Sequence, residues 1–231
     1  MNLLLALPLL LLSADKEPAK EAPRDPPWAL AAEDEGIKIY ARQREGESIA
    51  QMKAMGVIDA TPHEVWKAIR DYPNYPKTMP YTEESKVIAR EDGDKTIWFY
   101  SVVNAPLVDR RDYVIKIIDS SDWKDGAGFL KVTWTGWNEK DKGMPEKDGY
   151  VRVKINDGYW LLEPREAGKK TFATYYVYTD PGGSLPKWIA NKANGTAVPN
   201  VFAAIRKVVT DDRAKAAAAP KPAPAPEPEK K

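Results

Sequence analysis

The sequence predicts an α+β domain in which an antiparallel sheet is closed by a C-terminal helix. Three observations lead there. From Glu83 to Thr179 the chain runs as short segments in which charged and apolar residues alternate, the period of half-buried strands. Helical spacing dominates at the end, through Leu185, Trp188 and Ile189 and then Val201, Phe202, Ile205, Val208 and Val209. Between the two patterns lies Asp180-Pro181-Gly182-Gly183, a fixed φ followed by two residues free to take positive φ, which suits a sharp strand-to-helix reversal. Ser184 offers an N-cap for the helix that follows.

The elements can be justified in order. Trp28 to Glu35 reads as a short helix ended by Gly36, and Gly36 to Arg44 and Ile49 to Ile58 read as an opening hairpin. Thr61, Pro62 and Glu64 form a capping box with proline at the first helical position, so helix 63–70 follows. Pro73, Pro76 and Pro80 then break the chain into a helical fragment and loop carrying Tyr72, Tyr75, Met79 and Tyr81. Strands are expected over 83–90, 95–103, 112–118, 128–137, 150–163 and 170–179. Lys116 between Ile115 and Ile117, and Arg152 and Lys154 among Val151, Val153 and Ile155, assign a wet and a buried face. Tyr113, Ile115, Ile117, Leu130, Val132, Trp134, Val151, Val153 and Ile155 are expected to point inward. In 95–103 and 170–179 both phases are bulky, as in strands whose outer face is also covered, and the inward phase stays open.

Composition narrows the function. The 231 residues are 43% hydrophobic, enough for one sizeable core once the tails are set aside. Lys plus Arg number 35 and Asp plus Glu 34, so no global basic field argues for nucleic acid, and any membrane contact must be local. The absence of cysteine excludes disulfides, thiolate metal sites and cysteine nucleophiles. His63 is the one imidazole and is expected to be an exposed first-turn residue, since Glu64 beside it is used in the cap. No metal-spaced cluster, nucleophile elbow or phosphate loop occurs, so no metal or cofactor is expected.

The flanks read differently from the body. Leu3 to Leu12, with Ser13 and Ala14 after it, has the length of a signal-peptide core and is too short to span a bilayer, so 1–14 is expected to direct secretion, to the periplasm or beyond. Residues 15–27 read as a disordered linker, 28–211 as the domain, and 212–231 as a solvated Ala/Pro/Lys/Glu tail.

The run TDPGGSLPKWIANKANG (179–195), preceded by LLEP (161–164) and APLVDRRDYV (105–114), closely resembles the START family of lipid-transfer domains, from about Trp28 to Val209. The resemblance implies a helix-grip fold, a curved antiparallel sheet around a long C-terminal helix that encloses an apolar cavity for one lipid or sterol. It further implies a non-enzymatic carrier, expected here as a monomer touching membranes transiently. Sterol-carrying relatives place a charged residue inward on the strand after the Arg-Asp motif, and the matching position here is Ile117.

On that basis the cavity is expected to draw on Ser101, Tyr113, Ile115, Ile117, Val132 and Trp134, with Val153 and Tyr176 from later strands and Trp188, Ile189 and Phe202 from the helix. Ser101, Thr133, Thr174, Tyr176 and Tyr178 are the candidate polar anchors. Arg111 and Asp112 are read as structural, fixing the loop at a strand entrance, together with Asp180, Gly182 and Gly183. In the family that loop is a gate, which places Pro106, Leu107 and Val108 at a portal facing Lys192. Pro199 interrupts the helical hydrogen bonding and is either a hinge for the lid or the meeting point of two helical pieces. Two rival functions stand beside the carrier: a polyketide cyclase or aromatase using pocket tyrosines and carboxylates, and a ligand sensor presenting its lid to a protein partner.

Overall fold

The computed structural model describes residues 25–106 and 108–218, with the side chains at 187, 188, 190 and 192–194 outside the description. The secretion signal, residues 15–24 of the linker, Leu107 and residues 219–231 of the tail therefore lie outside the described residues, as do the side chains of Trp188 and Lys192.

The first element departs from the sequence reading. Ala29–Asp34 is a strand, β1, paired antiparallel with β2 (Ile37–Arg42), and not a helix. Glu35 and Gly36, both at positive φ, form the two-residue turn between them. All six residues of β1 are exposed, so a helix there would have had no apolar face to bury, whereas pairing with β2 satisfies the backbone. β3 (Gln51–Ile58) follows, then α1 (Pro62–Arg70). The capping box forms as read: Thr61 Oγ1 accepts from the Glu64 amide and Glu64 Oε2 accepts from the Thr61 amide. His63 is exposed, its ring edge-on to Trp123.

A single 3₁₀ turn (Tyr72–Asn74) and the one-turn helix α2 (Tyr75–Thr78) occupy the proline-broken stretch. β4 (Thr82–Glu91), β5 (Thr96–Val103) and β6 (Arg111–Asp119) come next, then β7 (Asp122–Lys124) and β8 (Ala127–Gly136). β7 was missed, although Asp125-Gly126 between it and β8 is a strong hairpin signal, both residues taking positive φ. The strand expected over 150–163 is two pieces. β9 (Val151–Arg152) pairs in parallel with β6, and β10 (Ile155–Arg165) pairs with β8 and with β11 (Lys170–Asp180).

Among the described residues nine strands lie in the order β1-β2-β3-β11-β10-β8-β6-β5-β4, and helix α3 (Lys187–Ala218) packs on one face of them. This is the expected helix-grip arrangement. α3 starts at Lys187 rather than at a Ser184 cap, because Pro186 keeps the residue before it out of helical conformation. It continues through Pro199 as one helix, so there are not two pieces. It also runs to Ala218, into the segment assigned to the tail, where alanine has the highest helix propensity and proline first appears at 220.

Phe202 and Ile205 of α3 are fully buried against the sheet, each contributing about 1.5–3 kcal/mol by leaving water. A second, smaller cluster covers the other face of β5, where Tyr100, Val102 and Val114 meet Trp137, Met144 and Tyr150. β5 is therefore covered on both faces, which explains its bulk in both phases.

Candidate functional site

Between α3 and the concave face of the sheet lies a cavity of about 260 Å³. Strand alternation builds its walls. β6 contributes Tyr113, Ile115 and Ile117, and β8 contributes Val132 and Trp134, the five inward positions that alternation on these strands predicts for the cavity. Leu130 is buried deeper in the same core, away from the lining. Phe99 and Val103 come from β5, and Asn156 and Trp160 from β10. β11 supplies Tyr175, Val177 and Thr179, which settles its inward phase. The rim carries Tyr72, Tyr75, Met79 and the exposed Tyr81, while Ala197, Val198, Val201 and Ile205 of α3 form the cover.

Several expected lining residues lie elsewhere. Val153 is buried away from the cavity, Ile155 is 40% exposed, and Val151 packs beside Gly182 and Gly183. The break at Val153-Lys154 shifts the phase, so the even-numbered residues of β10 face inward. Tyr176 is on the outer face, stacked on Tyr159, and Thr174 and Tyr178 share its phase. Thr133 is likewise opposite in phase to Val132 and Trp134. Ser101 shares the inward phase of Phe99 and Val103 but is fully buried and does not reach the lining, its hydroxyl donating to Glu84 O and interacting with Tyr113. Phe202 packs beneath the cavity against Trp160, and Ile189 does not reach the lining.

An aromatic floor was missed by sequence reasoning. Tyr175 lies between Trp134 and Trp160, with ring centroids 5.9 and 4.5 Å away. Gly158, directly opposite Trp134 in the ladder, makes this possible: a Cβ there would lie 2.3 Å from Trp134 Cζ2 and 2.4 Å from Tyr176 O. The indole thus lies across β10, and its Nε1 donates to Asn156 Oδ1 at 3.2 Å. Thr179 Oγ1 donates to the same oxygen at 3.2 Å.

The polar groups of the cavity are neutral. Among the described residues lining it there is no Asp, Glu, Lys, Arg or His. Burial pushes the Tyr72 hydroxyl up to about 12 and drives Tyr75, Tyr113 and Tyr175 upward as well, so all four stay protonated at ordinary pH. The Tyr75 hydroxyl donates to Ile69 O. Such a chamber can desolvate an apolar molecule and offer it hydrogen bonds, and its described lining holds no carboxylate, amine or imidazole for general acid–base work.

Beside the mouth, Asn104, Ala105, Pro106, Val108 and Asp109 line a surface depression with Leu185. Arg111 staples this loop to the turn before α3, donating through Nε to Pro181 O at 3.2 Å and through a terminal nitrogen to Asp109 O. Asp112 is 1% exposed and accepts two hydrogen bonds from Arg152, at 2.7 and 2.9 Å, and one from Tyr100. Asp180 Oδ1 accepts from the Gly182 amide, and Gly182 and Gly183 both take positive φ. No cluster of potential metal ligands occurs among the described residues, and no described helix is long and apolar enough to cross a membrane.

The family model described as polyketide cyclase/dehydrase and lipid transport matches residues 58–206. A Pseudomonas aeruginosa protein of uncharacterized function is 30% identical over 182 residues, covering 78% of this chain and 85% of that one. The phosphatidylcholine transfer protein of Bos taurus is 25% identical over 175 residues, 75% of this chain and 79% of the relative. A STAR-related lipid transfer protein from Xanthomonas axonopodis superposes with a TM-score of 0.70 at 27% identity, covering 79% of this chain and 98% of that structure.

Proposed function

Because the chain belongs to the polyketide cyclase/dehydrase and lipid transport family and is a START domain, we propose that it encloses one apolar ligand and carries it between membranes without altering it. The observation that supports this most is the cavity's lining, largely apolar and, among the described residues, without ionised side chains, under a helix cover. Each CH₂ moved from water into it contributes about 0.8 kcal/mol, so a closed pocket and a movable cover suffice for extraction and release. The loop around Pro106 and the start of α3 form the portal, with Pro106, Leu107 and Val108 as its apolar contacts with a membrane and Lys192 and Pro199 on the moving side. The carrier works as a monomer outside the cytoplasm, delivered there by its leucine-rich N-terminus.

A cyclase would need an acid or base poised near neutrality, and the buried tyrosines are displaced from that range. Native mass spectrometry of the protein purified from its source cells tests the proposal. A lipid carried through purification is the expected result. An empty cavity, together with turnover of a polyketide-like substrate, would overturn it.

A further inference from the structure

Resting on that lipid-carrier reading, we infer that Tyr81 is a membrane anchor: its side chain enters the interfacial layer of a phospholipid bilayer and seats the cavity mouth there.

The turn that carries Tyr81 has no need of a tyrosine. Met79-Pro80-Tyr81-Thr82 is closed by a long hydrogen bond, Thr82 N to Met79 O at 3.5 Å, with proline second and a residue at a φ of 58° third. That third position calls for glycine or asparagine, because a Cβ crowds the backbone at positive φ. The other described non-glycine residues at positive φ are Asp, Glu, Lys and Ala, so Tyr81 is the aromatic exception. Strain of this kind persists where the side chain serves something other than the turn.

Position shows what it serves. Tyr81 lines the cavity and is nevertheless 44% exposed, so its side chain stands where the cavity opens to solvent. Thr82, next in the chain, pairs with Val103, and both line the cavity as well. The Tyr81 carbonyl accepts from the Asn104 amide at 2.8 Å, which couples the turn to the loop of Asn104, Ala105, Pro106 and Val108 proposed above as the portal. Two segments distant in sequence thus bring the exposed Tyr81 and Pro106 to one lip of the opening. The carboxylates that follow Tyr81 are met by cations: Glu83 accepts from Arg110 Nε and Glu84 from Lys147 Nζ, both at 2.9 Å. A phenol on such a lip fits the layer between headgroups and acyl chains, where the ring is sheltered and the hydroxyl stays wet.

Flotation with dioleoylphosphatidylcholine vesicles measures how the full chain partitions, and native mass spectrometry measures the lipid it retains. Tyr81→Gly and Tyr81→Asn both suit positive φ, so the melting temperature should hold or rise. Retained lipid should be unchanged, while vesicle partitioning falls about fivefold, the worth of sheltering part of one aromatic ring. Tyr81→Trp should partition at least as well as wild type. Partitioning of the glycine and asparagine variants equal to wild type, or loss of retained lipid without loss of partitioning, overturns this inference and leaves the carrier reading standing. A wild type that retains lipid but does not meet vesicles does the same. A wild type that neither retains lipid nor meets vesicles overturns both.

Discussion

Arg213 donates Nε to Glu64 Oε1 at 2.6 Å and a terminal nitrogen to Glu64 Oε2 at 2.8 Å, which ties the far end of α3 to the N-terminus of α1. A third bond, from Arg213 to Asp59 O at 2.8 Å, anchors the same side chain to the loop before α1. Hydrogen bonds from Arg213 and then Thr61 hold the Glu64 carboxyl at about 2, well below its ordinary value of 4.5. A carboxyl depressed on folding stabilises the native state above its unfolded pKa, and that increment is lost as pH falls through the folded value. The wild type should therefore lose this increment between about pH 4.5 and 2, and Glu64→Gln should not. Urea unfolding across that range checks it, and at neutral pH the variant should be weaker by about 1 kcal/mol, a modest figure because the pair is partly solvated.

Val132 is 3% exposed and lines the cavity from β8. Val132→Trp would place an indole in the void and compete directly with ligand. Lipid retained through purification should fall more than about tenfold while the melting temperature holds or rises, since filling a cavity recovers lost contacts. Lipid recovery by native mass spectrometry and calorimetry of the same samples check both halves.

Asp112 and Arg152 are a buried pair, their side chains 1% and 12% exposed. Asp112→Ala leaves the guanidinium with only Met144 O and Pro145 O as acceptors and should cost about 3 kcal/mol in denaturant unfolding. Adding Arg152→Met should restore much of that loss, which identifies the stranded charge as its cause.

Val108 borders the depression beside the cavity mouth. Val108→Asp should slow lipid transfer between vesicles by roughly threefold or more, because a carboxylate resists the apolar phase that valine can enter. Unfolding should be unaffected. Transfer rates equal to wild type would remove this loop from the portal.

How much was legible depended on whether a face was marked by charge. Lys116 between two isoleucines gave β6 its phase, and Tyr113, Ile115 and Ile117 all line the cavity. Thr61-Pro62-x-Glu64 announced its capping box because all the bonding partners are local. β11 was silent: in Thr174-Tyr175-Tyr176-Val177-Tyr178 both faces carry rings, and only pairing with β10 selects Tyr175 and Val177. Asn156 was hidden for a different reason. A polar residue beside a charged one reads as solvent-facing, and its inward position follows from the break after β9 and from the indole that Gly158 admits. Tyr72 was legible only as part of the proline-broken stretch, and that its buried hydroxyl has no partner among the described residues is a tertiary fact with no local signature.

The neutrality of the chamber's described wall bears on how a carried ligand would leave. The described residues of its wall include no acid, amine or imidazole, so they give acidification no charge to switch around an uncharged guest. On the proposed carrier role, unloading would be mechanical, a displacement of walls rather than a change of protonation, and a bilayer that draws the cover aside would serve as both trigger and destination.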